Sequence, residues 1–287
     1  MAASFDVPYF APDPPSVMPT DAEIDAAPDI TLAYRSRRVV QVGDHFVVKF
    51  GVGIDLAEGR NMLFVREQTN VPVPRVYGLY SRGPKNYIVM ERIASSTLMK
   101  LWPDLQHSEK EAVTRLLRTH FDELRNLPPP DYYGSLGRRA LLDGIFWTLE
   151  PEATINGPFS SEEALTEALA LKYSYNGHSD YRAEYYRQYL PQLFRNHRPT
   201  FTHGDVQRKN IMIQRVVDNS HDPSLPQWHV CILDWEKSGW YPTYWEYAIG
   251  VCALRRDDDW CLWFKDVLDP YIPETAWLQD IRLELWS

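Results

Sequence analysis

Two periodicities divide the chain. From Val39 to Met90 the apolar residues fall in short β-rich runs: Val39–Val42 and His45–Phe50, split by Gly43-Asp44, then Val76–Tyr80 and Tyr87–Met90 around a turn at Ser81–Asn86. A Gly-X pair between two such runs predicts a tight hairpin. Alternation in the second run sets His45, Val47 and Lys49 on one face and Phe46, Val48 and Phe50 on the other. Asp55 to Gln68 reads as a helix, with Asp55 as its cap and Glu58 at capping-box spacing. It must stop before Val71-Pro72-Val73-Pro74, because proline and the residue preceding it are excluded from helix.

Beyond Met90 the period becomes helical. Leu98, Leu101, Trp102 and Leu105 follow Ser96, and Val113, Leu116, Leu117, Phe121 and Leu124 form one stripe behind a capping box at Ser108 and Glu111. Pro128-Pro129-Pro130 ends that helix, residues 131–160 read as irregular, and Ser160 with Glu163 opens another helix. Two short strands, Asn210–Gln214 and Trp228–Leu233, flank a polar loop, and the remainder is helical and rich in tryptophan. Ahead of all this, the arm up to Pro28 reads as an extended strap with a helical turn around Asp21–Ala27, and strand pattern begins near Ile30. The expected class is α+β: a small antiparallel-sheet lobe in residues 1–93 and a larger helical lobe in residues 94–287, joined near Glu91–Ala94.

Composition narrows the partners. With 44% hydrophobic and 13% aromatic residues in 287, the chain can bury real cores. A formal net charge of −9 argues against a nucleic-acid or anionic-membrane surface, which needs concentrated Lys and Arg. The N-terminus has neither a basic region nor an apolar run of the secretory kind, and no stretch reaches the ~20 apolar residues of a membrane span. Cys231, Cys252 and Cys261 form no Cys-x-x-Cys pair, and each sits in an apolar setting that predicts packing. The expectation is a cytoplasmic protein with no nucleic acid, membrane or obligate protein partner.

Chemistry concentrates in two segments. In Phe201-Thr202-His203-Gly204-Asp205-Val206-Gln207-Arg208-Lys209-Asn210, four residues separate a carboxylate from an amide, and a strand follows; Val230-Cys231-Ile232-Leu233-Asp234-Trp235-Glu236 is a strand that ends by delivering a carboxylate. Phosphoryl transfer needs a carboxylate to receive a hydroxyl proton, and hard oxygen ligands to hold magnesium against a triphosphate. Taken singly, each is better read structurally: Asp205 as a turn cap, Asn210 as a partner for loop backbone, Asp234 as a cap of the next helix. Their order, each beside a strand, points to function. His203, two positions before the base, reads as a brace for the loop.

The pattern His203-Gly204-Asp205, Asn210, and an apolar strand ending Leu233-Asp234-Trp235-Glu236 resembles the aminoglycoside phosphotransferase and choline kinase-like family. With Trp235–Pro242 it is similar to the fungal branch of that family, over about Val39 to Leu254. The resemblance implies a bilobal protein kinase-like fold, ATP and Mg2+ as cofactors, and transfer of the γ-phosphate to a hydroxyl of an amino sugar, amino alcohol or secondary metabolite. It implies Asp205 as catalytic base, Asn210 and Asp234 as metal ligands, and Lys49 on the α- and β-phosphates with Glu58 as its ion-pair partner. Glu91, through its carbonyl, and Ile93, through its N–H, are implied as the adenine hinge. Glu236 has two readings, a water-mediated ligand of a second magnesium or a first-turn helix carboxylate.

Two departures stand out. No Gly-x-Gly-x-x-Gly is present, and Tyr34–Arg38 takes that place with Ser36 and backbone N–H groups to offer phosphates; Tyr241–Glu246 replaces the Gly-Asp-Pro expected after the metal strand. Asp257-Asp258-Asp259 and Glu246 could meet an amine on the acceptor, and the tryptophans near 240–263 could stack on a ring, or both are surface charge and core. A protein Ser/Thr kinase would need a long segment with Asp-Phe-Gly and Ala-Pro-Glu, which is lacking. A catalytically silent scaffold would be expected to have lost the lysine, the base or a ligand. His203, His229 and Cys231 have no zinc spacing.

Overall fold

The structure, a computed structural model, describes residues 6–31, 36–216, 227–254 and 258–286. Its N-terminal sheet has five antiparallel strands in the order β1-β4-β5-β3-β2: β1 Tyr9–Phe10, β2 Arg38–Val42, β3 Phe46–Gly51, β4 Val76–Arg82 and β5 Lys85–Glu91. Alternation decides which residue meets which layer. Phe46, Val48 and Phe50 are buried on the outer face with Val40, Tyr77, Tyr87 and Val89, and Ile24 closes that layer from α1, Asp21–Ala26. The arm is therefore built into the sheet rather than laid along it: β1 pairs with β4, and Thr20 and Glu23 make a full capping box. The strand pattern near Ile30 yields only an isolated bridge from Asp29 to Val40.

The inner face carries α2, Ala57–Gln68. Gly59 permits its close approach, since a Cβ there would lie 2.3 Å from Leu79 Cδ1. Asp55 does not cap as expected: its Oδ1 accepts from the Ala57 N–H at 2.7 Å and Leu56 stands at the cap position. Glu58 is not a capping-box partner either, because its carboxylate turns to Lys49. At its far side α2 reaches the helical half, where Phe64 packs on Phe201 and Trp240 at ring separations of 5.1 and 6.4 Å. Such pairs are worth ~0.5–1.5 kcal/mol beyond their area.

The helical half begins with β6, Ser96–Thr97, and α3, Leu98–Leu101, in place of one longer helix. Its α4 spans His107–Arg125, and the capping box is Gln106 with Glu109, two residues earlier than Ser108 and Glu111. After α5, Ala153–Asn156, comes α6, Glu162–Tyr175, capped by Ser161 rather than Ser160, and then α7, Asp180–Leu193. Two small sheets carry the loops of interest: β7, Pro199–Thr202, pairs with a later strand β10, Gly239–Pro242, while β6, β8 (Ile211–Val216) and β9 (Gln227–Ile232) form the other. The polar loop between β8 and β9 lies outside the described residues. Three helices close the chain: α8 Trp245–Cys252, α9 Trp260–Val267 and α10 Ile272–Trp286. Among the described residues no helix is long and apolar enough to cross a membrane, and the three cysteines are free.

Candidate active site

Lys49 stands on the inner face of β3, opposite the outward Val48 and Phe50. Its Nζ donates to Glu58 Oε1 at 2.5 Å and to Asp234 Oδ1 at 2.8 Å, so one ammonium ties strand β3, helix α2 and the end of β9. Burial works against the Lys49 charge, but Glu58 and then Asp234 outweigh it and raise its pKa. For Asp234 burial is likewise outweighed by Lys49, and its carboxyl stays below its ordinary value. Glu58 is pushed the other way: burial dominates, Lys49 opposes, and Asp234 adds repulsion. One ammonium shared by two carboxylates leaves the deeper one harder to ionise.

Asp234 reaches this position through a left-handed backbone, φ 66° and ψ 60°, a conformation that Asp tolerates better than most residues. The chain then makes a single 3-10 turn, Trp235–Lys237, which Asn61 of α2 holds by donating Nδ2–H to Trp235 O at 2.8 Å. Carboxylate oxygens of Glu58, Asp234 and Glu236 lie within 4.8 Å of one another. Across the cleft, Arg37 Nη1 pairs with Glu236 Oε2 at 3.4 Å.

The Asp205 loop is set from behind. Gly204 has φ +82°, and a Cβ there would lie 2.8 Å from Lys237 O, so this turn requires glycine. His203 is fully buried; its Nε2 faces Leu233 O at 2.9 Å and its Nδ1 accepts the Asp205 N–H at 3.2 Å. Those partners fix the neutral Nε2–H tautomer and leave the imidazole no free nitrogen. Glu246, second residue of α8, accepts the N–H groups of His203 at 2.5 Å and Gly204 at 3.1 Å. Asp205 itself is gripped at the front: Gln207 Nε2 donates to Oδ1 at 2.5 Å, Asn210 Nδ2 donates to Oδ2 at 2.9 Å, and Lys209 Nζ lies 3.9 Å away. Asn210 Nδ2 also reaches Asp205 O at 3.0 Å, so Oδ1 is the Asn210 atom left to offer a metal. Leu233 N–H donates to Asn210 O at 2.8 Å, joining the two chemical loops directly.

Fold and loops thus bring Lys49, Glu58, Asp234 and Glu236 into one network and Asp205, Asn210 and His203 into an adjoining one. Glu91 closes β5, its side chain accepting the Arg75 N–H at 3.1 Å, and Ile93 follows in the connection to β6. Ser36 lies exposed beside the Gly51–Gly53 turn, where its carbonyl accepts the Gly53 N–H at 2.9 Å; Tyr34 and Arg35 lie outside the described residues. Gln207, Lys209 and Asn61 were not singled out from sequence, although the first two stand inside the loop motif. Three of the acids that could meet an amine already have partners on the chain. Glu246 is consumed by backbone N–H groups, Asp258 by Arg208 at 2.7 Å, and Asp259 by Lys110 at 2.8 Å and two indole N–H groups; Asp257 lies outside the described residues. Trp240 and Trp245 are core, and Trp260 alone of these three lines a cleft.

Among solved structures the chain is similar to an aminoglycoside-3'-phosphotransferase of type VIII, at 14% identity and TM-score 0.54, over 90% of this chain and 93% of that one. It is also similar to ADP-bound aminoglycoside phosphotransferase APH(2'')-Ib, at 14% identity and TM-score 0.53 over 93% and 91%. The streptomycin–ATP ternary complex of APH(2'')-IIa matches at 14% identity and TM-score 0.52 over 93% and 87%. At such identities the likeness shows the fold, which is the bilobal kinase-like one. No curated protein sequence matches the chain. The family model for phosphotransferase enzymes does, from residue 35 to 281, and by that match the chain belongs to the phosphotransferase enzyme family.

Proposed function

We propose that this protein transfers the γ-phosphate of ATP to a hydroxyl of a small molecule, with Asp205 as the base. The observation that carries the reading is the convergence of Lys49, Glu58 and Asp234 at 2.5 and 2.8 Å beside a loop in which Asp205 and Asn210 are hydrogen-bonded to each other. ATP lies with adenine against the Glu91 carbonyl and the Ile93 N–H, between a lobe of residues 1–93 and one of 94–287. Lys49 holds the α- and β-phosphates, and Ser36 with neighbouring N–H groups covers them. Asp234 and Glu236, whose carboxylate oxygens lie within 4.8 Å of each other, together with Asn210 Oδ1 from the adjoining loop would hold Mg2+, which would neutralise charge on the phosphates. Asp205 orients the acceptor hydroxyl and takes its proton as the new O–P bond forms and the bond from the γ-phosphorus to the bridging oxygen of ADP breaks.

The short path after Asp234 supports a small acceptor. One 3-10 turn leads straight into β10, paired with β7, and then into α8. That leaves no activation segment on which a protein substrate would dock. Placement in the fungal branch rests on the Trp235–Pro242 run.

The test is ADP release from ATP and Mg2+ over a panel of hydroxyl compounds, followed by Asp205→Asn on any acceptor found. The substitution keeps the shape but removes the base, and kcat falls by about 10²–10⁴-fold with ATP affinity unchanged. Equal turnover by the variant sinks the assignment of the base, and no acceptor-dependent release from the parent sinks the phosphotransferase reading.

A further inference from the structure

A cleft opens beside the Asp205 loop, walled by Met99, Val206, Leu254 and Trp260 and carrying Arg208 and Lys209. Among the described residues that line it, none is a carboxylate. Arg208 is 11% exposed at its side chain; its Nη2 pairs with Asp258 at 2.7 Å, and its guanidinium lies 5.6 and 6.0 Å from the Trp260 and Trp102 ring centres. Its Nη1, in contrast, is buried with no hydrogen-bond partner among the described residues. A charged donor taken out of water and left unanswered is costly, and a small turn of the Arg208 side chain, which lines the cleft, would let an arriving acceptor answer it. Lys209 is half exposed on the same loop, with its Nζ 3.9 Å from Asp205 Oδ2.

We propose that the acceptor is a hydroxy acid: a compound that sets its hydroxyl at Asp205, an apolar body against Leu254 and Trp260, and a carboxylate toward Arg208 and Lys209. The proposal rests on the phosphotransferase reading above and refines its substrate. It runs opposite to a polyamine. An aminoglycoside of the kind named for the similar structures would bring ammonium groups toward Arg208 and Lys209, with Asp258 already paired to Arg208, Asp259 to Lys110 and Glu246 to backbone N–H groups. Like charges brought together in a partly desolvated cleft exclude the wrong ligand as firmly as a good contact selects the right one.

Three probes that share one benzyl alcohol separate the charges: para-(hydroxymethyl)benzoate, its methyl ester, and para-(hydroxymethyl)benzylamine. Binding to the full chain is read by titration calorimetry at neutral pH. The benzoate binds at least about ten-fold more tightly than the benzylamine, with the ester between them. Lys209→Gln, half exposed and safe for folding where Arg208→Gln is not, shrinks the gap to about two- or three-fold, and Lys209→Glu inverts it. A benzylamine that binds as well as the benzoate, or no binding by any of the three, overturns the proposal. Because binding is measured apart from transfer, the two readings fail separately. Benzoate preference stands even where the ADP-release panel finds no acceptor and the phosphotransferase reading falls, whereas preferred transfer to the benzylamine does the reverse.

Discussion

Helices α2 and α8 each begin with a buried glutamate as their second residue, Glu58 and Glu246, exposed by 2% and 1%. Burial pushes both carboxyls up. They differ in what answers them. Glu58 faces an ammonium at the end of a long side chain, one that also binds Asp234. Glu246 faces two backbone N–H groups that are part of the Asp205 loop itself. A side-chain ammonium can exchange partners, so the α2 site is able to take part in a reaction. Backbone dipoles cannot, so the α8 site can only hold a shape. The lesson is that residue type, burial and position in a helix do not assign a role; the mobility of the partner does.

The comparison makes its strongest claim at Lys49. Lys49→Ala should lower turnover at saturating ATP by roughly 10²–10³-fold, the scale of a lost charge-assisted contact in a cleft. Thermal stability should move little, and parent-like turnover would put Glu58 on the scaffold side with Glu246. Next in size, Glu246→Ala strips two buried N–H groups of their acceptor and should cost roughly 2–3 kcal/mol in chemical denaturation. Glu58→Ala leaves Lys49 with Asp234 and removes a carboxylate whose burial already offsets much of its attraction to the ammonium, so it should cost less, about 1 kcal/mol. Equal losses in the two variants break the contrast.

Glu162, the first residue of α6, sharpens the contrast because it combines both kinds of partner. It accepts the His197 N–H at 2.9 Å and faces His197 Nδ1 at 2.6 Å, with Glu274 3.5 Å from Nε2. Burial alone would lower the His197 pKa, but Glu162 and then Glu274 outweigh it and raise it above 6.5. A histidine raised on folding lends stability in full below its unfolded pKa and loses it as pH climbs through the folded one. Melting curves across that window should show a decline in stability that is absent in His197→Gln.

Much of this was legible because the signals are local. Lys49 could be placed on a strand face by alternation over six residues, and the Asp205–Asn210 spacing and the apolar run before Asp234 survive as short strings. The pairing of β7 with β10 was not legible: about forty residues separate partners whose own sequences, Pro-Thr-Phe-Thr and Gly-Trp-Tyr-Pro, carry no alternation. The start of α4 was misplaced because glutamine is a weak cap by preference, and Ser108 offers the stronger local signal one residue inside the helix. Arg208 was quoted within the loop, but its surroundings come from Trp102, Asp258 and Trp260, far apart in the chain. The fate of Glu246 depended on a loop forty residues upstream.

The apolar core that runs from Leu79 and Ile88 through α2 to Phe201, Trp240 and Phe264 has a thermodynamic consequence. Each half keeps a smaller cluster of its own, around Val48 in the sheet and around Tyr186 and Trp245 among the helices, but this core belongs to both. Heat should therefore melt them as one cooperative unit, with calorimetric and van't Hoff enthalpies in agreement. Cutting the chain in the connection after Glu91 would expose Phe64 on one piece and its aromatic cradle on the other, so neither piece inherits a finished interior. The cleft between the halves is then a groove on a single melting body.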